Sequence, residues 1–273
     1  MDYTDEMINR LSLDSICAAL SYAMGIPAPK EAAAPANMLT EFIDKSFHGE
    51  KVDRIFLYHP DAVAEWIFRK YTDYLQEVTS RTALLLPLRT VMPSVTPVCF
   101  GTLYTGAQPA VHGIRKYEKP VITIDTLFDA LLRAEKKPVI VAETDCSMSK
   151  IFLERNMDYY IFDTVAEVNA KAAELIMADT YDFIAVYNGN YDATMHKNGP
   201  EAPASLAALK ANAEAFAMFY ELIKSHWRQH NTLIGFATDH GCHEIDGNLG
   251  SHGLDMAEDL NIVHLYGAYP KEY

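Results

Sequence analysis

The chain predicts an α/β fold, a three-layer α/β/α sandwich around a mostly parallel sheet, and three observations carry that prediction. Short apolar runs alternate with longer amphipathic stretches over most of the 273 residues. That is the signature of successive strand–helix units with helices on both faces of one sheet. The run 232–237 is apolar almost throughout and reads as a buried strand. Acidic and imidazole side chains gather just after such runs, at the edge where open α/β sheets bind ligands.

In chain order, residues 11–25 show an amphipathic helical pattern closed by Gly25 and Pro27, and residues 38–47 show a second. These leading helices carry no chemistry and are expected to pack outside the core. Residues 52–58 are the first strand, followed by His59, Pro60 and Asp61 and then a helix from 62 to about 77. Residues 82–88 form another apolar run. The stretch 93–106 is dense in small and hydroxyl residues, with Pro97 suited to the first turn of a helix and Thr96 to its cap. Next come a strand (120–124), a helix (126–136), a strand (138–142), a helix (147–155), a strand (159–162) and a helix (165–178). The strand 183–187 leads into a polar stretch holding Asp192 and His196, then a long helix (204–227), the strand 232–237 and a last strand (261–266). Neither an internal repeat nor a composition shift is visible, so one domain spanning 1–273 is expected, with its core in 52–266.

Bulk properties narrow the function classes. Hydrophobic content of 49 % and charged content of 22 % are those of a globular protein. A net charge of −14 disfavours a nucleic-acid polymer or an anionic membrane as the main partner. The acidic start lacks the basic region of a secretory leader, and the apolar patch 16–24 is too short to span a bilayer. A cytoplasmic setting is the expectation. The four cysteines are scattered without C-x-x-C spacing and are expected to be reduced.

Three strand ends carry Asp or Asp/His groups: Asp61, Asp192 with His196, and Asp239 with His240; His252 follows in the loop after the last pair. Taken singly, each has a plain structural reading. Asp61 suits a helix cap, Thr96 likewise, and an Asp-His dipeptide suits a strand-end turn. Taken together they converge, because parallel strands end on one edge. Asp192 and His196, four apart, share one side of a helical turn. Carboxylates and imidazoles are suited to zinc or a similar divalent ion. Six ligands divide into two sites of three, and two ions can clamp the attacking and leaving oxygens of an in-line displacement.

The order of these segments resembles the alkaline phosphatase superfamily, in particular its type I phosphodiesterase/nucleotide pyrophosphatase branch. The branch's nucleophile segment, roughly P-T-x-T-F-P-N, then T-G, then P-E-S-H-G-I, is similar to Pro93-Ser94-Val95-Thr96, Thr105-Gly106 and Pro109-Ala110-Val111-His112-Gly113-Ile114. Its P-D-x-x-G-H-x-x-G-P resembles residues 191–200, its D-H-G resembles Asp239-His240-Gly241, and its H-G-x-D resembles His252-Gly253-Leu254-Asp255. The resemblance implies an alkaline phosphatase-like fold and two divalent metal ions, zinc favoured and manganese the alternative. It implies one ion held by Asp192, His196 and His252, and the other by Asp61, Asp239 and His240. It implies Thr96 as nucleophile, a covalent phospho-threonine and a small-molecule phosphate ester as substrate. Activity should then need neutral imidazoles and fall in acid.

The chain departs from the branch in two places. No asparagine follows the H-G-I, where the family contacts a phosphate oxygen; Lys116 and Tyr117 stand there as candidate substrate contacts. The F-P-N after the nucleophile is Pro97-Val98-Cys99. His112 is expected to be structural, and accessory roles are open for His243 and Cys242. The alternatives are a phosphomonoesterase, phosphonate hydrolase or phosphomutase on the same site, and a non-catalytic metal-binding or ligand-sensing module. A sulfatase is disfavoured, since no C/S-x-P-x-R occurs at the nucleophile.

Overall fold

A computed structural model describes residues 8–272. Seven strands form one sheet: β1 (Arg54–Pro60), β2 (Leu84–Arg89), β3 (Pro138–Glu143), β4 (Asp158–Phe162), β5 (Phe183–Asn188), β6 (Thr232–Ala237) and β9 (Asn261–Tyr269), in the order β2-β9-β6-β1-β5-β3-β4. Strands β6, β1, β5, β3 and β4 are mutually parallel. Within this sheet, among the described residues, only β9 is reversed, pairing antiparallel with both β6 and β2. The expected mostly parallel sheet is therefore present. A small hairpin, β7 (His243–Ile245) and β8 (Leu249–Ser251), stands apart from it.

Alternation along the strands sorts side chains to two faces. Ile55, Leu57, Phe183, Ala185 and Leu233 enter one core with helices α1 (Ser15–Ala23), α2 (Asn37–Phe47), α5 (Thr96–Thr105) and α7 (Leu127–Arg133). Phe56, Tyr58, Ile184, Val186, Ile234 and Phe236 enter the other, against α3 (Glu65–Lys70), α8 (Val165–Ala178), α9 (Asn190–Asn198) and α10 (Pro203–His226). Phe216 and Phe219 of α10 are 1 % and 0 % exposed, and each such ring contributes about 2 kcal/mol by leaving water. The short helices α4 (Gln76–Thr79), α6 (Pro109–His112) and α11 (Ala257–Leu260) complete the set. Among the described residues no helix is long and apolar enough to cross a membrane.

The leading helices, expected outside the core, are part of it: Ile16, Cys17, Leu20, Leu39 and Ile43 are fully buried there. Three further expectations differ. The helix expected over 62–77 is broken. Ala62 takes a positive φ of 65°, Val63 N–H donates to Thr238 Oγ1 (3.0 Å), and Ala64 bridges to Ile262 of β9, so the chain turns across the ends of β6 and β9 before α3 begins. A 3-10 turn then separates α3 from α4. The strand expected over 120–124 is absent: Ile122 makes one backbone bond to Ile151 (2.8 Å), not a ladder. The helix expected over 147–155 is a run of turns, which leaves that loop free to line a cavity at the end of β3.

Candidate active site

Strands β1 and β6 are neighbours in register, so Asp61 and Asp239 leave the same edge side by side. The Asp61 N–H donates to Asn188 O (3.1 Å), and Asp239 Oδ1 accepts from Ala62 N–H (3.3 Å). His240 Nδ1 lies 2.9 Å from Gly241 O, an atom that can only accept, so Nδ1 carries the proton. Its Nε2 lies 3.2 Å from Thr96 Oγ1, 3.3 Å from Asp61 Oδ1 and 3.3 Å from Asp239 Oδ2. The backbone packs tightly here. A Cβ on Gly241 would sit 2.0 Å from Glu258 O, so only glycine lets the loop pass.

Helix α9 carries Asp192 and His196 one turn apart. His196 Nε2 lies 3.2 Å and His252 Nε2 3.5 Å from Asp192 Oδ1. Again each Nδ1 is committed to a backbone carbonyl, His196 to Gly250 O (2.9 Å) and His252 to Ser94 O (2.9 Å). All three imidazoles thus turn Nε2 inward with its tautomer set by the backbone, the arrangement that orients histidine ligands. In each trio, Asp61/Asp239/His240 and Asp192/His196/His252, the ligand-capable atoms lie within 4.8 Å of one another. The His240 and His252 rings stack at 4.0 Å and join the two trios.

The electrostatics are those of a site built around positive charge. Asp61 Oδ1, Asp192 Oδ1 and Asp239 Oδ2 are buried and have no hydrogen-bond partner. Burial pushes the Asp61 carboxyl well above the usual range, and the neighbouring charges of Asp239 and Asp192 push it further. Burial raises Asp239 as well, against the pull of His240. For Asp192, burial pushes upward but the close imidazoles of His196, His240 and His252 outweigh it, and its carboxyl is held low. Burial, with the charge of His240, holds His252 down to about 3. Unpaired buried carboxylates cost several kcal/mol each unless a cation meets them. Hard oxygens with borderline imidazole nitrogens are a donor set that zinc or manganese fits.

Thr96 is the first residue of α5 and not its cap; Val95 takes that position, with extended backbone and no capping side chain. This leaves the Thr96 hydroxyl for the site, 3.4 Å from Asp61 Oδ2 and 3.2 Å from His240 Nε2. Asp61 is not a helix cap either. Its Oδ2 accepts from the buried Tyr187 hydroxyl, a group that sequence reasoning missed. Thr96 and four of the six clustered residues (Asp61, Asp192, His196, His252) line a cavity of about 340 Å³. Tyr117, Lys119, Cys146, Ser147 and Tyr187 complete its wall.

Of the expected substrate contacts, Tyr117 lines the cavity and Lys116 does not. Lys116 is three-quarters exposed and paired with Glu118 at 3.3 Å; Lys119 is the lysine that reaches the wall. Cys146 and Ser147 follow β3 at the same sheet edge, so the strand-end rule applied to β3 could have found them. His112 is structural, as expected: it packs on Gly101 and pairs with Thr102 Oγ1 (3.1 Å). His243 is engaged with buried Asp259 (2.7 Å), and Cys242 lies in the apolar core beside Tyr191.

Comparison with known proteins follows the same line. Residues 134–267 match the family model of the type I phosphodiesterase / nucleotide pyrophosphatase family. That span holds Asp192, His196, Asp239, His240 and His252, and leaves out Asp61 and Thr96. The match spans just under half of the chain and marks a likeness to that family over this stretch. Murine ectonucleotide pyrophosphatase/phosphodiesterase 5 superposes with a TM-score of 0.63 at 13 % identity, covering 80 % of this chain and 91 % of that one. The human protein of the same name gives 0.62 at 12 % identity, covering 80 % and 88 %. An inactive threonine-to-alanine variant of the murine protein in complex with AMP gives 0.61 at 13 %, covering 81 % and 91 %. At these identities the likeness is one of fold. No curated protein matches by sequence.

Proposed function

We infer that this protein is a metal-dependent hydrolase of phosphate esters, of phosphodiesterase or nucleotide pyrophosphatase type, with Thr96 as its nucleophile. The observation that carries the reading is the pair of Asp/His trios with orphaned buried carboxylate oxygens, joined beside one threonine hydroxyl. Asp61, Asp239 and His240 would hold one divalent ion, zinc or manganese, and Asp192, His196 and His252 the other. Bound there, the ions would lower the pKa of the Thr96 hydroxyl, neutralise charge on the phosphoryl oxygens and activate a water. A threonine-to-alanine variant of the murine relative is inactive, and AMP binds it, which supports a small nucleotide-like ester as substrate.

The chain's own residues set the rest. Helix α5 starts at Thr96 and holds its Oγ beside Asp61 and His240. In the first step Thr96 Oγ, its proton released to solvent, bonds to phosphorus as the leaving oxygen departs with the electron pair and is protonated from solvent. In the second, water bonds to phosphorus, the bond to Thr96 Oγ breaks, and the hydroxyl is restored. Tyr187 donates to Asp61 Oδ2 and fixes that carboxylate's orientation.

A second reading, a monoesterase or phosphonate hydrolase on the same site, is favoured by one observation. A lysine, Lys119, lines the cavity, and no asparagine follows the H-G-I. The test is metal analysis of the purified protein together with aryl phosphate mono- and diesters as substrates. The expected result is close to two divalent ions per chain and hydrolysis that chelators abolish and metal restores. Failure to bind any divalent metal under any loading condition would remove the reading.

A further inference from the structure

Where the related enzymes place an asparagine against a phosphate oxygen, this chain has none. Its cavity wall offers a different pair. Ser147 is 2 % exposed, lines the cavity, and its Oγ has no hydrogen-bond partner among the described residues. A buried hydroxyl without a partner is disfavoured by about fivefold to 150-fold in an equilibrium, unless a ligand satisfies it. Ser147 starts a helical turn, its carbonyl accepting from Ile151 N–H (3.0 Å) and Lys150 N–H (3.1 Å), so the residue is held in place by its own backbone.

Lys119 supplies the charge. Among the described residues lining the cavity, it alone carries a fixed positive charge. Its Nζ donates to Asp145 O (2.6 Å), two residues from Ser147, and lies 5.2 Å from the Tyr117 ring centroid. That bond ties the segment after α6 to the loop after β3. The Asp145 carboxylate pairs with Lys150 (2.8 Å), so Lys119 bonds the backbone of this residue and its charge acts on that carboxylate only as a minor influence. An ammonium has three N–H groups, and one bond to a carbonyl leaves capacity for an anion.

We propose that Ser147 Oγ–H and the Lys119 ammonium form an anion subsite that binds a charged oxygen of the substrate in the cavity beside Thr96. The proposal rests on the hydrolase reading and goes beyond it by naming the substrate chemistry: a second negative charge at or next to the phosphoryl group. Two sources share that chemistry, the dianionic phosphoryl of a monoester and an acidic substituent on a diester or phosphonate. Comparing an aryl monoester, a neutral-substituent aryl diester and a diester bearing a terminal phosphate separates them.

The test measures inorganic phosphate binding to the zinc-loaded protein by calorimetry, with metal content and kcat/KM on the three esters, for the unaltered chain, Ser147→Ala, Lys119→Met and Lys119→Arg. Expected are metal contents unchanged throughout, and phosphate affinity lower by about tenfold to a hundredfold in Ser147→Ala and Lys119→Met. Lys119→Arg should recover most of the affinity. The loss in kcat/KM should be larger for the doubly charged esters than for the neutral-substituent diester. Normal metal content and turnover, with phosphate affinity and ester preference indifferent to both substitutions, overturns the subsite and leaves the hydrolase reading standing. An unaltered protein that neither retains metal nor hydrolyses any ester overturns both.

Discussion

At the scale of single residues, the site is defined by polar atoms kept for a ligand. Each site histidine spends Nδ1–H on a backbone carbonyl and keeps Nε2 for the interior. Each site aspartate keeps one buried oxygen without a hydrogen-bond partner. Tyr187 shows how such an arrangement is tuned. Its hydroxyl donates to Asp61 Oδ2. Tyr187→Phe is expected to keep the fold and to weaken metal binding by roughly tenfold to a hundredfold, as loss of an outer-shell partner does. Competition with a zinc-binding dye measures this directly, and unaltered affinity would show that Asp61 does not depend on the tyrosine. Which residues would be found was uneven. The Asp and His positions were legible because parallel strands end on one edge, so residues distant in sequence could be placed together. Tyr187 was not, because an apolar-looking strand residue shows no sign of where its hydroxyl points. Lys119 and Ser147 sit on two loops whose meeting is a tertiary fact, and the expected Lys116 was three positions away.

At the scale of elements, the hairpin β7–β8 is what brings His252 and the Gly250 carbonyl to α9. The contact is close: a Cβ on Gly250 would lie 2.1 Å from Met195 Sδ and 2.8 Å from Met195 O. The sulfur end of a methionine moves cheaply, but the carbonyl does not. Gly250→Ala is therefore expected to push the hairpin off α9 and loosen His196, whose Nδ1 bonds Gly250 O. One of two metal equivalents should be lost while the Asp61/Asp239/His240 trio keeps the other. Elemental analysis after dialysis reads the stoichiometry; retention of both ions would mean that the hairpin does not set the site. The hairpin itself was invisible in the sequence, since its two strands are three residues each, too short for a period to register. The broken helix after Asp61 went unread for a related reason. Residues 62–64 answer to Thr238 and Ile262, partners far along the chain, and not to local propensity.

At the scale of the whole molecule, the sheet is easily read and its acid response follows from what it buries. His264 is fully buried on β9, bonding Thr238 O (2.7 Å) and Tyr266 OH (3.0 Å), and burial holds it down to about 4. Unfolded, it titrates at its ordinary value near 6.5. The unfolded chain therefore binds more protons as pH falls through 6.5, and stability present above that pH is lost progressively down to about 4. By pH 5 this one group accounts for roughly 2 kcal/mol. Urea unfolding at pH 7.5 and pH 5 should show the loss, and His264→Gln should flatten it; an unchanged slope in the variant would place the response elsewhere. The alternation of strands and helices predicted the sheet because both faces are buried and the apolar runs are nearly unbroken. It did not predict that β9 runs against its neighbours, since an apolar run looks the same in either direction.

In the proposed mechanism, six side chains on one sheet edge hold two ions beside Thr96, and Thr96 attacks phosphorus. The most direct measurement is hydrolysis of an aryl phosphodiester by zinc-loaded wild type and Thr96→Ala, with metal content determined on the same samples. Close to two ions are expected in both proteins, with a rate in the variant lower by about a thousandfold or more, the scale of losing a nucleophile. Metal-replete Thr96→Ala that turns over as fast as wild type would contradict it.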